Sequence, residues 1–92
     1  MKKDIASMRK KINSIDKKII SLLAKRFQTT RNIGQSKQKI GLPIVDIPRE
    51  EEMKQLRKHL ANKYHIDIHI IESIFQEVIE QSKQDMLQHI YR

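Results

Sequence analysis

The chain has 92 residues, no cysteine and a formal net charge of +8 at pH 7. That length predicts a single domain, 1–92, near the lower limit for folding on its own core, and the lack of cysteine excludes a disulfide framework or a thiolate metal site as support. The positive charge suits nucleic acid, an acidic membrane surface or a small polyanion, without choosing among them.

Met1-Lys2-Lys3-Asp4-Ile5 is basic, but no apolar run follows it. No stretch approaches the roughly 20 apolar residues of a membrane span, so a soluble cytoplasmic protein without a membrane partner is expected. Ile5, Met8, Ile12, Ile15, Ile19 and Leu22 then recur at steps of three and four, the seam of a helix packed in coiled-coil manner, predicting a first helix from about Asp4 to Ile40. Such a helix is about 55 Å long, whereas a compact globule of this size has a radius of gyration of about 12 Å. It cannot cover its own seam, and a second copy alongside under two-fold symmetry is the simplest remedy.

Gly41, Pro43 and Pro48 bracket one break. After it Asp46 can cap a second helix, about 47–63, with Pro48 in its first turn, Glu50, Glu51 and Glu52 at the positive end of the dipole, and Met53, Leu56 and Leu60 as its buried stripe. Asp67 can cap a third helix, about 67–90, with Ile71, Phe75, Val78, Ser82 and Met86 on one face. The alternation from Ile66 to Ile70 is too short for a strand, so the fold class is all-α: three helices per chain, the first long, in an intertwined homodimer.

The first seam turns polar at Arg26, followed by Thr29, Ile33 and Ser36. A guanidinium away from water needs an anionic partner. Lys37 lies about three turns further along nearly the same face, far enough for a small ligand to sit between, and Arg9 of an antiparallel partner can approach Arg26. Equally, Arg26 can pair with a glutamate of its own protein while Lys37 is a solvated surface lysine. Ser82 interrupts the apolar face of the third helix, and a serine there can simply bond the carbonyl one turn back.

Phe27, Tyr64, Phe75 and Tyr91 are too scattered for a stacking platform and the charges mix signs, so no nucleic-acid partner is expected. His65 and His69 find no third ligand at metal-binding spacing, so no metal is expected. A glycine-rich phosphate loop, a nucleophile elbow and paired catalytic carboxylates are all missing.

Arg9-Lys10-Lys11-Ile12, Ile15-Asp16, Leu22-Leu23-Ala24-Lys25-Arg26 and Ile33-Gly34-Gln35-Ser36-Lys37 together resemble the long first helix of the all-helical chorismate mutases. Pro43-Ile44-Val45-Asp46-Ile47-Pro48-Arg49-Glu50 is similar to that family's P-x-x-D-x-x-R-E loop, and Phe75-Gln76, Ile79, Glu80 and Ser82 to its last helix. The likeness covers essentially the whole chain, and because the third helix runs nearly to the last residue no fused second enzyme is expected. The resemblance implies an isomerase, without cofactor or metal, that converts chorismate to prephenate by an intramolecular Claisen rearrangement in aromatic amino-acid biosynthesis. The protein would then hold a flexible dianion in a compact conformer and stabilise negative charge on the breaking ether oxygen.

By the same resemblance Arg26, with Arg9 donated from the partner chain, clamps the two carboxylates, for which a guanidinium fork is suited. Lys37 donates to the ether oxygen; Asp46, Arg49 and Glu50 close the loop and contact the hydroxyl; Ser82 meets a carboxylate. Arg26, Lys37 and Glu50 are thus the catalytic candidates, and Arg9, Asp46, Arg49, Ser82 and Met86 complete the substrate-binding set. One departure stands out. Four residues after the serine the family carries Gln or Glu as a second donor, and here the position is Met86, whose thioether cannot donate. Gln84 and Gln88 are each about 200° round the helix from it, so a weak mutase is expected, or one whose second donor comes from elsewhere. Alternatives are an isochorismate-pyruvate lyase of the same fold and a non-catalytic helical dimer binding a partner enzyme or metabolite.

Overall fold

A computed structural model describes residues 2–90, with side-chain surroundings for 4–88. Met1 of the basic opening and Tyr91 of the scattered aromatics lie outside the described residues. Three helices follow in order: α1 (Lys2–Ile40), α2 (Ile47–Tyr64) and α3 (Ile68–Ile90). Strands are absent among the described residues, and the fold is all-α. The chain divides into two compact units, Met1–Thr30 and Arg31–Arg92.

The first unit is the amino-terminal part of α1. Its seam residues Ile5, Met8, Ile12, Ile15, Ile19 and Leu22 are all exposed in the single chain, Leu22 by 62%. Near its end Thr29 and Thr30 turn their hydroxyls back onto the carbonyls of Lys25 and Phe27, at 2.8 and 3.0 Å, so neither competes for an outside partner with its proton.

The second unit opens with the last turns of α1. They stop where Gly41 takes a left-handed φ of 76°, its N–H donating to Gln38 while the N–H of Leu42 donates to Lys37 at 2.8 Å. This paired cap satisfies carbonyls that the helix leaves over, and glycine adopts the conformation without a side-chain clash. Asp46 starts α2, its carboxylate accepting the N–H of Arg49 at 3.0 Å, with Pro48 in the first turn. His65 ends α2 in the left-handed region (φ 56°), its N–H donating to Asn62 and that of Ile66 to Ala61. Asp67 starts α3 by accepting the N–H of His69 at 2.8 Å.

α2 and α3 run antiparallel: Glu50 meets Lys83 near one end, and Arg57 meets Glu72 and Phe75 nearer the other. Arg57 grips both carboxylate oxygens of Glu72, at 2.6 and 3.2 Å, and its guanidinium carbon lies 5.6 Å from the Phe75 ring centre. The interior holds Ala61, Val78 and Met86 with the polar Ser82 and Asp85. On α3 the anticipated face holds, with Ile71 and Phe75 half-buried and Val78, Ser82 and Met86 buried. On α2 it is displaced. Leu56 and Leu60 are exposed, and the packed residues are Met53, Arg57 and Ala61. Steps of four keep those three on one stripe, and the apolar stem and planar fork of Arg57 cover α3 where a leucine was anticipated.

Candidate functional site

Of the candidate residues, Arg9 and Arg26 belong to the first unit, where Arg9 is exposed and Arg26 half-buried. The other six lie in the second unit. Lys37 is half-buried, and its ammonium donates to the carbonyl of Ile44 at 3.0 Å, so the side chain reaches across the turn begun by Gly41 and ties down the following loop. Lys37 and Asp46 line one cleft of 340 Å³ with Leu42, Pro43, Val45, Ile47 and Pro48. A lysine and an aspartate in an otherwise apolar lining can orient a small polar ligand.

Asp46 also brings in two more candidates, Arg49 and Glu50, through local chemistry. Asp46 spends a carboxylate oxygen on the cap of α2, which fixes the first turn carrying Arg49 and Glu50. Arg49 is exposed and bonds Glu52 at 3.1 Å, a surface pair one turn apart. Glu50 accepts from the ammonium of Lys83 on α3 at 2.9 Å. The start of α2 is therefore held to α3 by charge as well as by packing.

On α3, Ser82 is only 4% exposed and its hydroxyl donates to the carbonyl of Val78 at 2.8 Å, the local bond that such a serine can make without any ligand. Met86, one turn on and also buried, packs on the backbone of α1 at Gly34, where a Cβ would stand 2.9 Å from the methionine Cγ. Gly34 is one turn from Lys37 on the same helix, so Met86 and Lys37 are carried on facing elements of the second unit.

Two residues that sequence reasoning passed over flank this contact. Arg31 Nε lies 2.5 Å from the Asp85 carboxylate across 54 residues of sequence, and Asp85 is 8% exposed. A carboxylate so enclosed requires a charged or hydrogen-bonding partner, and Arg31 supplies one. No local pattern marks either residue, because the pairing depends on how α1 meets α3. Lys83 was missed for the same reason; the sole signal was its position directly after Ser82.

Elsewhere, an open hollow of 490 Å³ at the turn between α2 and α3 is lined by Lys58, Ala61, Asn62, His65, Ile66, Asp67 and Ile68 and shares no residue with the candidates. Among the described residues no three His, Cys, Asp or Glu side chains gather as a metal site would need, and no helix is long and apolar enough to cross a membrane.

The sequence model of a family described as chorismate mutase type II matches residues 8–86. A bifunctional chorismate mutase/prephenate dehydratase of Buchnera aphidicola subsp. Schizaphis graminum is 42% identical over 81 residues, covering 88% of this chain and 21% of that protein. A chorismate mutase of Methanocaldococcus jannaschii is 34% identical over 86 residues, covering 94% of this chain and 87% of that protein. The bifunctional chorismate mutase/prephenate dehydratase of Escherichia coli is 33% identical over 78 residues, 85% of this chain and 20% of that protein. The chain thus spans about a fifth of the length of these bifunctional relatives and most of the archaeal one.

Proposed function

The chain belongs to the chorismate mutase type II family, and from that premise we propose that it is an isomerase that rearranges chorismate to prephenate, in the cytoplasm and for aromatic amino-acid biosynthesis. The observation that carries the reading is the match across residues 8–86, which runs through every candidate residue from Arg9 to Met86. The cleft shared by Lys37 and Asp46 supports it with a place for the substrate.

In this reading residues 1–92 form one catalytic domain and the substrate is a dianion. Arg26 takes one carboxylate and Arg9 of a second copy the other, as planar forks suited to bidentate contact. The exposed seam of α1 supports a homodimer, because six apolar side chains on one stripe gain most by burial against a copy of themselves. Lys37 donates to the ether oxygen as negative charge grows there. Its bond to Ile44 does not forbid this, since an ammonium has three protons and the loop uses one. Asp46, through the cap, sets the turn from which Arg49 and Glu50 reach the substrate's hydroxyl side, and Ser82 meets a carboxylate edge. The bond that breaks and the bond that forms lie in one molecule, so the protein needs no nucleophile, metal or cofactor, only orientation and charge stabilisation.

The test is loss of chorismate absorbance with purified protein, with product identified by acid conversion to phenylpyruvate. The Arg26→Ala variant is expected to lose about 10² to 10³ of the rate, the scale of one preorganised charge contact. Turnover that survives this change intact overturns the placement of Arg26. Protein that is inert on chorismate but converts isochorismate to salicylate and pyruvate belongs with the lyases instead. Inertness on both favours a non-catalytic dimer, the reading to which Met86 lends most weight.

A further inference from the structure

Lys83 follows Ser82 directly on α3, and its ammonium stands 2.9 Å from a carboxylate oxygen of Glu50 in the first turn of α2. With 33% and 45% of their side chains open to solvent, the two partners contribute little to stability by pairing. What the pair does is choose where the carboxylate stands. An exposed glutamate has many rotamers, and a charge-assisted bond from a neighbouring element selects among them. The adjoining acids Glu51 and Glu52 are held by Gln55 and Arg49 of α2 itself, so of the three in this turn Glu50 is the one tied across to α3.

At about 100° per residue, Ser82 and Met86 fall between Asp85 on one flank of α3 and Lys83 on the other. The first flank holds Arg31 of α1 and the second holds Glu50 of α2. The buried serine and methionine thus lie between two ion pairs, and the pair on the α2 side contains a residue proposed to contact substrate. We propose that Lys83 is a positioning residue for the rearrangement, its ammonium holding the Glu50 carboxylate where the substrate's hydroxyl will meet it. This rests on the reading of the chain as a chorismate mutase with Glu50 at that hydroxyl.

Steady-state kinetics with chorismate test it on the full chain, using Lys83→Met, Lys83→Gln and Lys83→Arg, and Glu50→Gln with and without Lys83→Met. The Met and Gln variants are expected to lose about ten to a hundredfold in kcat/KM, the cost of a contact group displaced by about an ångström. Lys83→Arg should recover most of that loss, and Lys83→Met should cost nothing further once Glu50 is Gln, because the lysine then has no carboxylate to place. Thermal midpoints of the Lys83 variants should stay within about 2 °C of the parent, as for a solvent-exposed pair. Losses of equal size with and without the Glu50 carboxylate overturn the proposal, as does full activity in the Met and Gln variants. If Lys83→Met does not fold, the Gln and Arg variants decide, and equal rates in those two overturn it. A folded parent chain without turnover ends the mutase reading and this inference together, whereas turnover indifferent to Lys83 ends only the inference.

Discussion

Met86 packs its thioether on the backbone of α1, at a point where Gly34 leaves room for it. A methionine there fills space but gives no proton to an oxygen, so in the proposed site Met86 cannot share with Lys37 the charge developing on the substrate. Met86→Gln conserves chain length and adds an N–H, and it is expected to raise kcat by about tenfold or more, up to the 10² to 10³ scale of one restored donor. Initial rates with chorismate check this, and a folded variant of unchanged or lower kcat removes Met86 from the reacting centre. The residues of this region differ in how far they could be read in advance. Lys37 and Asp46 were visible as a charged residue beyond a polar seam and a cap before Pro48, and they share a cleft. Ser82 was visible as a break in an apolar face, and its bond to Val78 is the local option already open to it. Arg31, Asp85 and Lys83 were invisible because their partners come from other helices, and nothing in the neighbouring sequence announces them.

The elements begin and end within about two residues of where capping chemistry puts them, a margin set by fraying of terminal turns. Gly41, Asp46 and Asp67 act through bonds between near neighbours, which is why such signals survive in a sequence. The packed face of α2 did not survive, because Arg57 disguises a core position as a surface one. Its pairing has a measurable signature. The bond from Arg57, helped by the charges of Arg57, Lys54 and Lys58 and opposed in part by burial, holds the Glu72 carboxyl below its ordinary value of 4.5. A carboxyl whose folded pKa is the lower one binds fewer protons folded than unfolded, so its stabilisation is complete above the unfolded value and disappears as pH falls through the folded one. Glu72→Gln should therefore lower stability at pH 7, by about 0.5–1 kcal/mol given that a third of the side chain meets solvent. Urea melts at a series of pH values should show the gap between parent and variant closing below 4.5, and a gap that is constant with pH removes the Arg57 pair as its source.

At the scale of the molecule, the interior of the second unit is small and part polar, while the first unit presents a row of apolar side chains to solvent in the single chain. If two copies cover that row, folding and association are one event, and the midpoint of thermal unfolding should rise with protein concentration. Calorimetry over a hundredfold range in concentration checks it; a midpoint that does not move refutes the obligate dimer. The expectation of a second copy comes from the sequence because a helix of this length outruns the size of a 92-residue globule, an argument from dimensions that requires no particular contact. The exposed row also sets a fate for subunits that have not met. Proteases and chaperones act on accessible apolar chain, so if pairing covers this row a newly made copy is vulnerable until it is paired, and its lifetime in the cell then depends on how many others are present. Scarce subunits would then be cleared and abundant ones kept, which would turn synthesis rate into a threshold for the amount of protein that persists.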